Sequence, residues 1–130
     1  MLRNARILVV QANSILLSDL KELLERESYQ IATAANGREA LTRLASGLVD
    51  LVISDFEMPS MKGDMLRELL RSHPSTLRLP FILLSSGTPP SVDGDIAYGF
   101  LKKPVVIDEL ISSIEKLMAR QAVSGQRAPD

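Results

Sequence analysis

Three side chains of different chemistry stand at the ends of short apolar blocks, and together they could handle a phosphoryl group. Asp55, Ser85 and Lys103 each follow such a block within two residues. A carboxylate is a nucleophile towards phosphorus, and an ammonium and a hydroxyl can stabilise the charge on the transferred oxygens. Taken singly, each has a plainer interpretation: a carboxylate capping a loop, a serine in a turn and a lysine on a solvated face.

Five apolar blocks alternate with helical patterns and determine where these side chains meet. The blocks are residues 7–10, 29–33, 51–53, 81–84 and 98–101. The helical patterns have apolar faces at Leu16, Leu20, Leu23 and Leu24; at Ala40, Leu41, Leu44 and Leu48; at Met65, Leu66, Leu69 and Leu70; and at Val106, Leu110, Ile114, Leu117 and Met118. Alternation of this kind predicts a mostly parallel sheet with helices on both faces. The carboxyl ends of parallel strands share one edge, so we expect the three side chains to converge there.

The interval 86–97 departs from this alternation. It contains two consecutive prolines and two glycines, which remove backbone donors and weaken a helix. Only Val92 and Ile96 offer large apolar anchors. We predict a loop or at most one turn, and the most mobile internal part of the chain.

Polar residues and a proline near the helical patterns are candidate helix ends. Ser14 lies where it can cap the first helix, and Pro104 lies where it can open the last one. The uncharged residues Gln11, Ala12 and Asn13 follow the first block, and they could be turn and capping groups.

Composition restricts the classes of function. The 130 residues predict one domain, over 1–122, with a flexible tail over 123–130. The formal charge of −1 argues against nucleic-acid binding driven by bulk charge. Cysteine is absent, which excludes thiolate chemistry, and neither a phosphate-binding glycine loop nor a G-x-S-x-G motif occurs. No apolar run approaches the roughly 20 residues of a membrane span, so no membrane role and a cytoplasmic location are expected.

Three spaced motifs make the sequence resemble the receiver domain of two-component response regulators, from about residue 6 to residue 117. Residues 50–63, DLVISDFEMPSMKG, resemble the third strand of that family, its phosphoacceptor aspartate, its Met-Pro turn and its glycine. Residues 80–86, PFILLSS, resemble its fourth strand and switch hydroxyl, and residues 100–104, FLKKP, its fifth strand and Lys-Pro pair. The resemblance implies a flavodoxin-like α/β fold, a doubly wound five-stranded parallel sheet in the strand order 2-1-3-4-5.

The resemblance also implies roles for individual residues and partners. Asp55 would accept the phosphoryl group, Ser85 and Lys103 would contact it, and Phe100 would be the switch aromatic. The donor would be a histidine kinase or a histidine phosphotransfer protein, and an unknown output protein would receive the signal. The chain would catalyse at most its own phosphorylation and dephosphorylation, so it would not be a classical enzyme.

The first departure from the family pattern concerns Mg²⁺. Receivers usually place two adjacent acids after the first strand to hold this ion, and this chain has Gln11 and Ala12 there. Mg²⁺ prefers octahedral oxygen ligands that include one or two carboxylates. The ligands that remain are the Asp55 carboxylate, the Glu57 backbone carbonyl and, weakly, the Gln11 carbonyl; the Glu57 carboxylate could swing in. We expect weak or absent Mg²⁺ binding and slow or absent phosphotransfer.

The second departure is the interval from Ser85 to Lys103, which is shorter than in the family by roughly one helical turn. The fourth helix is therefore expected to be shortened or missing. Two functions stay open. The retained Asp55, Ser85 and Lys103 favour a phosphorylated switch with weakened Mg²⁺ dependence or activation. Gln11-Ala12 and the short loop favour a phosphorylation-independent pseudo-receiver that acts as a docking module.

Overall fold

Strands and helices alternate along the chain in the computed structural model, which describes residues 4–88, 92 and 94–127. The elements are β1 (Arg6–Val10), α1 (Ser14–Glu25), β2 (Gln30–Ala34), α2 (Gly37–Ser46), β3 (Leu51–Asp55), α3 (Gly63–Arg71), β4 (Phe81–Ser85), β5 (Tyr98–Lys102) and α4 (Ile107–Arg127). All four strand pairings are parallel, and the strand order is β2-β1-β3-β4-β5. The predicted doubly wound, flavodoxin-like sheet and its strand order are confirmed.

Two apolar layers enclose the sheet, because successive side chains of a strand point to opposite faces. Val9 of β1 faces the layer that α1 and α4 complete with Leu24 and Leu110. The neighbouring Leu8 faces the layer of α2 and α3, where it packs with Leu66. Fully burying one such side chain stabilises the fold by about 1.5–3 kcal/mol. The central strands β3 and β4 are buried along their whole length, which explains why their sequences are apolar on both faces.

The connection between β4 and β5 contains no helix in its described residues, 86–88, 92 and 94–97. The expected loss of the fourth helix is confirmed; residues 89–91 and 93 of the predicted loop lie outside the described residues. Ile96 is 68% exposed and does not anchor the loop. A polar contact anchors it instead, since Asp95 Oδ2 accepts hydrogen bonds from Arg67 and Arg71 of α3, at 2.8 and 2.9 Å. We call these three residues the Asp95 cluster.

The expectation that the 86–97 interval is mobile leads to a first prediction. We expect backbone amides of residues 88–96, prolines excepted, to exchange with deuterium faster than those of α1 in the free protein. The reason is that few buried apolar contacts resist local opening there. Hydrogen exchange followed residue by residue measures this. Equal protection of the two segments would contradict the predicted loop.

Two helix ends differ from those that the sequence predicted. Asn13, one residue before Ser14, caps α1: its Oδ1 accepts hydrogen bonds from the amides of Ile15 and Leu16, both at 3.0 Å. Ser14 is already the first helical residue, so the cap position falls to its neighbour. At the other end of the chain α4 begins at Ile107, so that Pro104 precedes the helix instead of lying in its first turn.

Two leucines assigned to apolar helix faces are exposed. Leu16 lies in the first turn of α1 and is 45% exposed, and Leu17 packs against the core instead. Leu48 follows the end of α2 at Ser46, outside the helical periodicity, and is 81% exposed. The apolar periodicity therefore located both helices but placed one residue too many on each core face.

The last helix runs further than the sequence suggested. Its helical backbone continues to Arg127, through residues 123–127 of the predicted tail, and residues 128–130 lie outside the described residues. The flexibility of 123–130 stays a prediction. Within the described part of the chain, no helix combines the length and the apolar character needed to cross a bilayer.

Candidate functional site

The carboxyl ends of β3, β4 and β5 bring the predicted site residues to one edge of the sheet. Asp55 ends β3 opposite Leu84 of β4, and Ser85 ends β4 opposite Lys102 of β5. The amide of Lys103 then donates a hydrogen bond to the carbonyl of Ser85 at 2.9 Å, which extends the pairing by one residue. The register of the parallel sheet therefore places a carboxylate, a hydroxyl and an ammonium side by side.

An ion pair between Asp55 and Lys103 is the centre of this edge. The ammonium of Lys103 contacts Asp55 Oδ1, and it lies 3.9 Å from Oε1 of Glu57. Asp55 is only 3% exposed, whereas the Lys103 side chain is 25% exposed. Oδ1 is buried, and the Lys103 ammonium is its ionic partner. The site therefore holds a shielded carboxylate next to a cation that solvent can still reach.

The loop that follows Asp55 holds this carboxylate in place. The amide of Phe56 donates to the carbonyl of Leu84 at 2.7 Å, and the amide of Gly63 donates to the carbonyl of Phe56 at 2.9 Å. A Cβ atom at Gly63 would overlap the carbonyl oxygen of Asp55 and would come within 2.6 Å of the Leu83 side chain. Glycine is thus required where α3 begins, because the helix backbone packs directly on the end of β3.

The environment of Asp55 disfavours its charged form. Burial raises the pKa of this carboxyl above its usual value, and the hydrogen bond and the charge of Lys103 oppose that rise only in part. Glu57 raises the pKa further, and the Gln11 amide lowers it. A carboxylate that is poorly solvated and only partly neutralised is a stronger nucleophile than one in water, which suits covalent chemistry at this atom.

Gln11 and Ala12 form the turn between β1 and α1. Gln11 is 4% exposed, and its Oε1 accepts a hydrogen bond from the amide of Asn13 at 3.0 Å. Asn13 in turn caps α1. The interpretation of these residues as turn and capping groups is confirmed for Gln11 and Asn13. Ala12 contributes no side-chain donor or acceptor to the site.

Comparison with known proteins identifies the family. The sequence model of the response regulator receiver domain matches residues 7–115. The chain belongs to this receiver family. The family resemblance that the sequence motifs indicated is thereby confirmed over most of the chain.

Curated relatives of this receiver are longer proteins. It is 31% identical over 124 residues to the probable transcriptional regulator ycf29 of Porphyra purpurea, covering 92% of this chain and 59% of that protein. It is 33% identical over 119 residues to the phosphate regulon transcriptional regulatory protein PhoB of Rhizobium meliloti, covering 88% and 52%. The match to the sensor kinase CckA of Brucella abortus (30% identity) covers 91% of this chain and 13% of that protein. The chain thus spans between about an eighth and three fifths of the length of these relatives.

Solved receiver structures share the fold. The signal receiver domain of an HD domain-containing protein from Pseudomonas fluorescens superposes with a TM-score of 0.84 at 28% identity, covering 97% of this chain and 95% of that one. The response regulator TrrA of Thermotoga maritima, solved in complex with Mg²⁺-BeF, gives a TM-score of 0.76 at 36% identity, covering 87% and 98%. Mg²⁺ is therefore present together with BeF in this solved relative.

The donor set of this receiver does not fit a magnesium site of the usual kind. The described residues contain no group of three His, Cys, Asp or Glu side chains that could hold a metal. Asp55 Oδ1 is in contact with the Lys103 ammonium, and the Gln11 carbonyl is committed to the turn before α1. Glu57 is half exposed and faces the same ammonium. Mg²⁺ usually requires one or two free carboxylates, and the buried carboxylate of this site already has a cation.

The other two predicted receiver residues lie on β4 and β5. Ser85 is 1% exposed, and its hydroxyl accepts a hydrogen bond from the amide of Gly87 at 3.1 Å, which is the turn role that a serine at this position can also play. Phe100 lies on β5, partly buried against the layer of α2 and α3. Their roles as phosphoryl contact and switch aromatic stay predictions.

The Asp95 cluster was not predicted from the sequence. Arg67 and Arg71 are four residues apart on α3, a spacing that places them on one helix face, and this signal was visible. Their partner was not visible, because Asp95 lies 28 and 24 residues further along the chain, in the connection between β4 and β5. The guanidinium of Arg67 also lies 5.4 Å from the ring centroid of Tyr98, so a side chain of α3 reaches the first residue of β5.

Proposed function

We propose that this receiver accepts a phosphoryl group on Asp55 and relays a signal through β4 and β5. The observation that carries the proposal is the buried Asp55 carboxylate with the Lys103 ammonium in contact with it, at the strand edge of a chain of the receiver family. An oxygen of Asp55 attacks the phosphorus of a phosphohistidine, the N–P bond breaks, and an O–P bond forms. The histidine nitrogen keeps the electron pair and takes up a proton, while Lys103 stabilises the charge on the transferred oxygens.

The proposed relay begins at Ser85. Its hydroxyl oxygen accepts from the Gly87 amide, which leaves the hydroxyl proton free to donate to a phosphoryl oxygen. Such a bond would draw the end of β4 towards Asp55. The β5 strand is paired with β4 residue by residue, so it would follow, and Phe100 would change its packing. Phe100 is only partly buried, which gives its ring room to move.

A histidine kinase or a phosphotransfer protein is the proposed donor, and apolar residues beside the site support docking. Ile15 and Leu16 lie in the first turn of α1, the helix that follows the carboxyl end of β1, and they are 71% and 45% exposed. Val106 follows β5 and is 50% exposed. Exposed apolar side chains around a reactive group are typical of an interaction surface.

The output of this receiver is proposed to act in another protein or on a longer parent chain, since the curated relatives extend well beyond the matched part. The net charge of −1 supports an output without nucleic-acid contacts by this domain itself.

The phosphoryl group of a kinase comes from ATP, so the proposed location is the cytoplasm. We further propose that Mg²⁺ binds weakly, because Gln11 and Ala12 add no carboxylate to Asp55.

Phosphorylation with a small-molecule donor tests the function directly. We expect incubation with phosphoramidate to add one phosphoryl group to the wild type and none to Asp55→Asn, because the amide is not a nucleophile towards phosphorus. Intact-mass spectrometry measures the product. Asp64→Asn is the matched control, since this carboxylate lies in the first turn of α3 at the same edge.

Two outcomes would change the assignment. Modification that persists in Asp55→Asn would place the phosphoryl group on another residue. A wild type that takes up no phosphoryl group from phosphoramidate or from kinases would support the pseudo-receiver docking module, which the exposed residues of α1 would also serve.

A further inference from the structure

The charge balance around Asp55 differs from that of a metal-dependent site. Asp55 and Glu57 contribute two negative charges, and Lys103 contributes one positive charge within 3.9 Å of the Glu57 carboxylate and in contact with the Asp55 carboxylate. Gln11 and Ala12 contribute none. The resulting charge of these five residues is −1, and the cation that faces the two carboxylates is Lys103, a residue of the chain itself.

We propose that the Lys103 ammonium is the resident cation of this site. It competes with divalent ions for Asp55 Oδ1, and it allows phosphoryl transfer to Asp55 without a metal. The proposal rests on the proposed function and deepens it, because it names the group that neutralises the phosphoryl charge. It follows from the misfit between the donor set and Mg²⁺.

The loss of the two acids removes the ligands of a metal and also part of the need for one. Carboxylates next to an incoming phosphoryl group repel it, and a divalent ion offsets that repulsion. With neutral side chains at Gln11 and Ala12, an incoming phosphoryl group meets only Asp55, Glu57 and the opposing charge of Lys103. A single ammonium then supplies a larger share of the neutralisation that the transfer requires.

The position of Lys103 suits a permanent cation. Its amide is hydrogen-bonded to Ser85 at the end of β4, so its backbone is held by the sheet. Its side chain is three quarters buried, which strengthens its interaction with Asp55 relative to a solvated pair. The Gln11 carbonyl cannot turn towards a metal without giving up the Asn13 amide that it holds at 3.0 Å.

The first arm of the test measures phosphoryl uptake from phosphoramidate in EDTA and in Mg²⁺. We expect the wild type to react in EDTA at a rate within about twofold of that in Mg²⁺. Lys103→Met should lose about 100-fold in EDTA, the usual effect of removing one charge-stabilising donor. Lys102→Met is the matched control, because this neighbouring lysine is exposed at the end of β5 and should react like the wild type.

The second arm measures Mg²⁺ binding in the absence of any phosphoryl donor, from backbone amide shifts. Removing the competing ammonium should raise the Mg²⁺ affinity of Lys103→Met about tenfold over the wild type, with no change in Lys102→Met. Circular dichroism checks that each variant is folded. This arm does not depend on reactivity, so it reports on competition for Asp55 by itself.

The outcomes separate the two proposals. Uptake by the wild type that requires Mg²⁺ overturns the resident cation and leaves the receiver function standing. No uptake in either buffer overturns phosphoryl acceptance from this donor. The Mg²⁺ affinity of Lys103→Met then decides whether the Lys103 ammonium competes with Mg²⁺ for Asp55. An affinity equal to that of the wild type overturns the inference whatever the first arm gives.

Discussion

Replacement of Gln11 and Ala12 by aspartate is expected to raise the affinity for Mg²⁺ by about 100-fold. The turn between β1 and α1 lies at the same edge of the sheet as Asp55, so two new carboxylates there would add the missing anionic ligands. A divalent ion bound by three carboxylates would also displace Lys103 from Asp55. Calorimetric titration of the double variant and the wild type with Mg²⁺ measures the difference.

A variant with the same added charge elsewhere separates local ligands from overall charge. Leu48→Asp with Ser75→Asp adds two carboxylates at exposed positions that precede β3 and β4, at the opposite edge of the sheet. Its Mg²⁺ affinity should equal that of the wild type. Tight binding by the wild type, or no gain in the Gln11→Asp, Ala12→Asp double variant, would mean that carboxylates at these two positions do not control Mg²⁺ binding.

The positions of Asp55 and Lys103 could be predicted from sequence because they depend on few and strong signals. The apolar blocks predicted the strands, and their alternation with helices predicted that the strands run parallel. The carboxyl ends of parallel strands lie at the same edge of a sheet. The strand register then brings the two side chains close enough to form the observed ion pair. The missing helix was predicted equally well, because consecutive prolines and two glycines oppose helix over a short interval.

The features that were missed depend on differences of one residue or on long-range contacts. Asn13 and Ser14 are both competent caps, and the choice depends on where the first helical turn begins. Leu48 continues the apolar pattern of α2 by one step, although the helix has already ended. The pairing of Asp95 with Arg71 joins residues 24 apart, and no local pattern specifies it. The residues at the carboxyl ends of the strands can thus be predicted from sequence, whereas the side-chain partners of a loop residue cannot.

Asp95→Asn is expected to destabilise the fold by about 3 kcal/mol, the lower end of the cost of removing one partner from a buried ion pair, because this pair is partly exposed. Asp95 Oδ2 accepts from Arg67 and Arg71, and its Oδ1 accepts from the amide of Ala97 at 3.1 Å. The three charged side chains are only 12–13% exposed, so water would solvate the two remaining guanidinium groups poorly after the loss of the carboxylate charge. Urea unfolding measures the free energy, and Asp19→Asn, an exposed aspartate of α1, is the control.

The effect of Asp95→Asn should depend on pH in a defined direction. Burial raises the pKa of Asp95, but Arg71 and Arg67 outweigh burial and hold the pKa below its usual value. A carboxyl with a lowered pKa in the folded state stabilises the protein fully above its unfolded pKa, about 3.9, and the stabilisation is lost as the pH falls through the folded pKa. The free-energy difference between wild type and variant should therefore be constant near neutral pH and shrink only in acid.

The same substitution should loosen β5, because the Asp95 cluster anchors the residues that immediately precede this strand. Arg71 also donates to the carbonyl of Ala97, and that carbonyl accepts from the amide of Phe81 on β4. Hydrogen exchange of the β5 amides should accelerate in Asp95→Asn while the β1 amides change less. A loss of stability below about 0.5 kcal/mol with unchanged β5 exchange would mean that β5 keeps its place without the cluster. Because Lys103 directly follows β5, a loosened strand would also weaken the contact of its ammonium with Asp55.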